Sequence, residues 1–236
     1  MALIKKWIRN IVLGEKASSE KFVAFLRRKG VSVGEDVRFY APSNTLIDVS
    51  APWLLTIGDH VRITHGVIVL THDYAWSVLK TLNGSVLGAQ SPVSIGNNVF
   101  IGMNAIITRG VSVGDNVVIG AGSVVTKDCE PNSVYAGNPA KRIMGIEEYY
   151  KKRADLQFEE ARKIAIAYKE KIGKKPPMEV FNEYFMLFCH SEDAMKCESF
   201  LTQMQQKGNF DESCAYMEMH APMFPDYESF LEACYK

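Results

Sequence analysis

Along residues 93–128 the hydrophobic positions return every sixth residue, six times without a break: VSIGNN, VFIGMN, AIITRG, VSVGDN, VVIGAG, SVVTKD. The third position is always aliphatic: Ile95, Ile101, Ile107, Val113, Ile119 and Val125. The first is small or branched, and Gly holds the fourth at 96, 102, 114 and 120. A period of six fits neither a 3.6-residue helix nor a sustained two-residue strand alternation. It fits a coil with three flat faces, one hexapeptide to a face and about eighteen residues to a turn. In such a coil the aliphatic rows stack inward, and each rung buries its apolar side chains only against its neighbours. The pattern predicts a parallel β-solenoid.

The register is faint at VSVGED and VRFYAP (31–42), is interrupted by SNTLIDVSAPWL (43–54), and resumes for one turn at LTIGDH, VRITHG and VIVLTH (55–72). Two irregular turns therefore precede two regular ones. Between them Asp73–Pro92 has no hexapeptide register and carries Asp73, Tyr74, Trp76 and Lys80. Long structured loops are usually functional, so this one is read as thrown out from a corner over the adjacent cleft. Ahead of the solenoid, residues 1–14 place Ile4, Trp7, Ile8, Ile11 and Val12 at helical spacing. Such a stripe suits packing on the solenoid or on another subunit, or peripheral contact with a membrane surface. A second short helix is expected over about residues 18–29.

From Gly145 the composition changes. Residues 146–172 are charged and helical in pattern, closed by Gly173 and Pro176-Pro177. MEVFNEYFMLFC (178–189) predicts a very apolar second helix, and further helices are expected at 193–206 and 226–235. The expected layout is N-terminal helices at 1–30, a β-helix at 31–143 with its loop at 73–92, and a helical extension at 144–236.

Charge is balanced, with 27 basic and 27 acidic residues, which gives no nucleic-acid footprint. The five cysteines are odd in number and lack a CxxC pair, which suits reduced thiols in a cytoplasm. No apolar run reaches transmembrane length and no cleavable leader is visible, so a cytoplasmic protein is expected. His72 stands where the repeat breaks, abuts the long loop, and opens the polar and aromatic stretch HDYAW. His60 and His65 are the competing histidines. Their five-residue spacing imitates one pair of zinc ligands, but no histidine precedes residue 60 to complete a tetrahedral set. No metal is expected.

The unbroken repeats resemble those of the hexapeptide-repeat acyltransferases, whose solenoid is a left-handed parallel β-helix. The fold class the resemblance implies is mainly β, a left-handed β-helix with short N-terminal helices and a C-terminal helical extension. His72 looks like the histidine that lies just ahead of an extended loop in the sugar and antibiotic acetyltransferases of that family. SVVTKDCEPNSVYAGNPAKRI (123–143) resembles the closing segment of the sugar branch, which contacts coenzyme A. The resemblance implies acetyl-CoA as co-substrate, held by Phe100, Gly102, Met103, Gly120, Ala121, Thr126, Lys127, Lys141 and Arg142. The three cations suit its phosphates, although surface charge and corner glycines have structural explanations as well. Phe100 stands where many relatives carry Trp. Asn44 and Asp48 are similar to acceptor-binding polar residues of galactoside and maltose acetyltransferases, though their spacing differs, and Asp73, Tyr74 and Trp76 join them as candidate acceptor contacts. The expected activity is O-acetylation of a sugar or polysaccharide precursor, by a homotrimer acting on a small-molecule or glycan acceptor. His72 is the expected general base, with direct transfer and no acyl-enzyme. The alternatives are N-acetylation of an amino sugar or antibiotic, and a catalytically silent scaffold.

Overall fold

The inward aliphatic rows dictate the architecture. In the computed structural model, which describes residues 11–206 and 209–236, short strands follow the repeat through four coils. The first coil holds β1 (Ser32–Val33), β2 (Arg38–Phe39) and β3 (Leu46–Ile47). The second holds β4 (Leu55–Ile57), β5 (Arg62–Ile63) and β6 (Ile68–Val69). The third holds β7 (Val93–Ile95), β8 (Phe100–Ile101) and β9 (Ile106–Ile107), and the fourth β10 (Ser112–Val113), β11 (Val117–Ile119) and β12 (Val124–Val125). Strands of successive coils pair in parallel into three sheets, β1-β4-β7-β10, β2-β5-β8-β11 and β3-β6-β9-β12. β13 (Ser133–Ala136) continues the second sheet, and β14 (Lys141–Gly145) folds back antiparallel onto it to end the stack.

The rows are in register: Ile57 with Ile95 and Val113, Ile63 with Ile101 and Ile119, Val69 with Ile107 and Val125. None of these side chains is more than 3% exposed. Burying each contributes about 1.5–3 kcal/mol. The outward rows differ by face. The first sheet presents Ser32, Thr56, Ser94 and Ser112, whereas the third presents Leu46, Ile68, Ile106 and Val124. One face of the prism is therefore aliphatic on its outside as well as its inside.

Stretch 43–54, expected to interrupt the coil, carries a rung after all, because Leu46–Ile47 pairs with Ile68–Val69 in the third sheet. Two 3-10 turns flank it, Pro42–Asn44 and Pro52–Leu54. Each starts on a proline, whose fixed φ suits a turn and whose missing N–H ends a ladder. At another corner Asn98, Asn116 and Asn132 adopt φ of 54°, 57° and 55°, a conformation Asn tolerates better than most residues. Their amides link coil to coil: Asn98 Nδ2 donates to Asn116 Oδ1 and Asn116 Nδ2 to Asn132 Oδ1, each at 2.8 Å.

Helix α1 (Ser19–Lys29) is capped by Ser18 and closed by Gly30 at φ 101°. It buries Phe22, Val23 and Leu26 in the solenoid core. Most of the helix expected over residues 1–14 lies outside the described residues. The excursion after His72 contains a helix that the pattern did not reveal, α2 (Trp76–Asn83), closed by Gly84.

The chain divides into two compact units between Tyr149 and Tyr150, within the first turns of α3 (Ile146–Ile172). The parallel sheets of the coil lie in the first unit, so the expected mainly β class does not hold for the chain as a whole. The described part of the second holds helices and turns with no strand. There the apolar helix expected over 178–189 does not form, and two 3-10 turns, Met178–Phe181 and Phe185–Leu187, take its place. A straight helix would turn Leu187 about 120° away from the face of Phe181, Phe185 and Phe188. The broken path buries all of them with Phe200 and Phe230, so tertiary packing overrides local preference. The helix expected at 193–206 is likewise split, into Ser191–Ala194 and Glu198–Met204, and Phe210–Met219 adds a helix not anticipated. Tyr227–Tyr235 starts on its Asp226 cap. Among the described residues no helix is long and apolar enough to cross a membrane.

A Cβ on Gly114 would lie 2.7 Å from Pro131 N and 2.9 Å from Pro131 Cα in the next rung. Gly114→Ala should therefore force rungs apart and cost about 1–3 kcal/mol or more. Ser32→Ala, on an exposed outward position, should stay within about 0.5 kcal/mol. Chemical denaturation of the two variants checks the contrast.

Candidate active site

The corner that follows the third sheet gathers the chemistry. Register in that sheet aligns Ile47, Val69, Ile107 and Val125, so the residues just after them stack too: Asp48, Leu70, Thr108 and Thr126. His72 and Arg109 stand on the same edge, and a cavity of about 370 Å³ is lined there by Leu70, His72, Asp73, Thr108, Arg109 and Thr126.

Behind His72 sits Asp48. His72 Nδ1 lies 2.5 Å from Asp48 Oδ2, with the carboxylate side chain 5% exposed and the imidazole 19%. The same Oδ2 accepts from Thr71 N at 3.0 Å and Thr71 Oγ1 at 2.6 Å. Oδ1 accepts from Ser50 N at 3.0 Å and Ser50 Oγ at 2.7 Å. Burial alone would raise the Asp48 pKa, but these hydrogen bonds outweigh it and hold the carboxyl well below the usual range. An ionised carboxylate at this distance puts the imidazole proton on Nδ1 and leaves the Nε2 lone pair available. Asp48 was expected to meet an acceptor. Both of its oxygens are already engaged and it is buried against His72, so it is not open to an acceptor.

Tyr74 stands edge-on to His72, with ring centroids 4.9 Å apart, and Trp76 follows 6.2 Å beyond Tyr74. The loop that carries them is pinned at its root. His72 bridges Gln90 in antiparallel fashion, Asp73 N donates to Ala89 O, and Ser91 N donates to Thr71 O, both at 3.0 Å. Asp73 itself accepts from Ala75 N at 2.9 Å and from Arg109 Nε at 2.6 Å. Its carboxyl is held low, first by the Arg109 bond and then by the Ala75 amide.

The other expected residues are distributed over different corners. Thr126 and Lys127 share the His72 edge. Phe100 lies within β8 on the face of the second sheet, and Gly102, Met103, Gly120 and Ala121 follow that sheet and so occupy another edge of the prism. Gly102 has a plain structural cause, since a Cβ there would meet Ala121 N at 2.5 Å. Its N–H is taken by Ile119 O at 2.8 Å, whereas the Met103 amide has no hydrogen-bond partner among the described residues. Lys141 and Arg142 are exposed on β14, with Arg142 Nε 4.0 Å from Glu130. Asn44 is exposed in a 3-10 turn, accepting from Ser43 Oγ. His60 lies between the first and second sheets, bound to Asp36 at 2.9 Å, and His65 is exposed, so neither joins His72. Among the described residues no three His, Cys, Asp or Glu side chains form a metal-holding group.

Two contacts of this corner escaped the sequence reading, Asp48 against His72 and Arg109 against Asp73. Asp48 precedes His72 by 24 residues, more than a regular coil holds, so the hexapeptide register alone does not pair them. Arg109 follows from register alone, one coil beyond the break.

Residues 92–127 match the family model described as the hexapeptide repeat of succinyl-transferase. The chain is 48% identical over 124 residues to Protein CapG of Staphylococcus aureus, covering 52% of this chain and 71% of that one. It is 38% identical over 148 residues to galactoside O-acetyltransferase of Escherichia coli (strain K12), covering 62% and 68%. Among solved structures, a maltose O-acetyltransferase from Clostridium difficile 630 is 35% identical, covering 59% of this chain and 81% of that one, with a TM-score of 0.42.

Because folding lowers the Asp48 pKa from 3.8, its contribution to stability is fully present above that value and is lost as pH falls below it. Asp48→Asn should therefore unfold at a lower temperature than the parent near neutrality. The gap should narrow as the pH drops below 3.8, which thermal unfolding across an acid series measures.

Proposed function

The chain belongs to the hexapeptide-repeat acetyltransferases, in their sugar O-acetyltransferase branch, and we propose that it acetylates a hydroxyl of a polysaccharide precursor through His72. It is an acetyl-CoA-dependent acetyltransferase of sugar-type acceptors, and the left hand of its coil goes with that membership. The observation that carries the mechanism is the bond from His72 Nδ1 to buried Asp48.

Nε2 of His72 takes the proton of the acceptor hydroxyl as its oxygen attacks the thioester carbonyl. The new C–O bond gives a tetrahedral oxyanion, and hydrogen-bond donors aimed at it lower the barrier. The C–S bond then breaks and the leaving sulfur takes the proton back from the imidazolium. Asp48 holds the ring in one tautomer and stabilises its charge meanwhile, the division of labour known from histidine–aspartate pairs in acyl transfer. No covalent acyl-enzyme is needed. Tyr74 and Trp76 offer aromatic faces to a sugar ring and exclude water, with Asn44 as a further polar contact.

Coenzyme A would be held by Thr126 and Lys127 on the His72 edge, by Lys141 and Arg142 at its phosphates, and along the low wall of Phe100, Gly102, Met103, Gly120 and Ala121. Since His72 and that wall stand on different edges, one chain does not supply both. A threefold assembly, with the His72 edge of one copy facing the Met103 edge of the next, completes the cleft. The Met103 amide is then the free donor for the oxyanion. The outward aliphatic row Leu46, Ile68, Ile106 and Val124 supports a covered face.

His72→Ala should lower kcat by about 10²–10⁴-fold with coenzyme A affinity little changed, read as thiol release from acetyl-CoA with a panel of glycans. Near-full activity in that variant would move the base elsewhere. Sedimentation should find three times the 26.4 kDa chain mass; a stable monomer at micromolar concentration would remove the shared cleft.

A further inference from the structure

We propose that Arg109 is a positioning residue that holds the root of the 73–92 loop, and with it the aromatic wall beside His72. The inference rests on the reading of His72 as the base.

Three observations meet at this ion pair. Arg109 Nε reaches Asp73 Oδ2 at 2.6 Å across coils, joining a corner of the regular stack to the first residue of the excursion. The other oxygen, Oδ1, accepts from Ala75 N at 2.9 Å, which forms the turn leading into α2. Among the described residues no side chain caps helix α2 at Ala75, so the Asp73 carboxylate is the side-chain contact nearest that end. Between the two anchored residues lies Tyr74, the ring against His72. A carboxylate with one oxygen fixed to the solenoid and the other fixed to the loop sets the direction in which Tyr74 leaves the backbone.

The location argues against a role in global stability. The two side chains are 41% and 39% exposed, and ion pairs at such sites stabilise little. The tie to Arg109 also differs in kind from the backbone bonds at the root. Asp73 N to Ala89 O and Ser91 N to Thr71 O close the loop on itself and on its own coil. The far end of the loop is tied to the following coil by backbone, Gly110 N donating to Pro92 O at 3.1 Å; at its first residue, among the described side chains, Arg109 makes that tie. That same coil carries Thr108, which lines the cavity with His72. Arg109 therefore keeps the two walls of the cavity in one relation while reacting groups are brought together.

The test uses the full chain with Arg109→Ala, Asp73→Asn and the double variant. Asp73→Asn keeps an oxygen for the Ala75 amide and removes the charge that holds Arg109. Amide hydrogen exchange of Ser77 and Val78, whose N–H groups close the first turn at Tyr74 and Ala75, is measured without substrate. Protection there should fall in all three variants, with the melting temperature and the coenzyme A affinity unchanged. With acceptor, kcat should fall about 10–100-fold, the cost of misplacing a reacting group. The double variant should be no worse than either single one, because both remove one link. Arg109→Lys, which retains charge without Nε geometry, should recover part of the rate. Unchanged loop protection, additive losses, or lost protection with normal turnover would each overturn the proposal. Exchange is read without substrate, so absence of acetyl transfer in the unsubstituted protein would count against the reaction and not against the clamp.

Discussion

A rung of this solenoid can satisfy its backbone N–H and C=O groups only by lying on the rungs at either side. That requirement holds successive coils about 4.8 Å apart, and everything else is subordinate to it. Corners must accept neighbouring backbone at close range, which is why Gly102 and Gly114 admit no Cβ. Residues at equivalent corners are brought into contact however far apart they lie in sequence. Asp48, His72 and Arg109 belong to three successive coils and meet for this reason. The site is a by-product of stacking, assembled without any local motif.

The same constraint explains what the chain reveals before its structure is known. Six repeats in one register make the three-sided parallel stack legible, together with its inward rows at Ile95, Ile101 and Ile107. The position at which the register breaks, beside His72, is legible too. The partnership of Asp48 with His72 was not, because it depends on how many residues the first coil contains. Pro42 and Pro52 lengthen that coil by turns whose size the hexapeptide pattern does not encode. The loop helix α2 was hidden for a related reason: eight residues are too few to display helical periodicity against a background of small and polar neighbours.

The second unit was misread where packing competes with propensity. Residues 178–189 have the composition of a helix, but Phe181, Phe185, Leu187 and Phe188 all require the same interior. A path of short turns meets that demand and a continuous helix does not. Stacked and edge-on rings then fill the space, with Phe185 and Phe200 centroids 4.8 Å apart and Phe181 and Phe230 5.0 Å apart. Burial pushes nearby groups to high pKa, the Tyr227 hydroxyl and the Cys189 and Cys234 thiols among them, the thiols to about 11. Those sulfurs are inert packing atoms rather than nucleophiles.

The bonds that join Asp73 to Ala89 and Thr71 to Ser91 bring the two ends of the excursion together at one rung. A segment whose ends already meet is a cassette. It can be lengthened, shortened or exchanged with no change in the pitch of the coil or in the contact between Asp48 and His72. The stack thereby separates two inheritances: a histidine–aspartate pair fixed by the lattice of rungs, and a surface loop free to diverge by insertion.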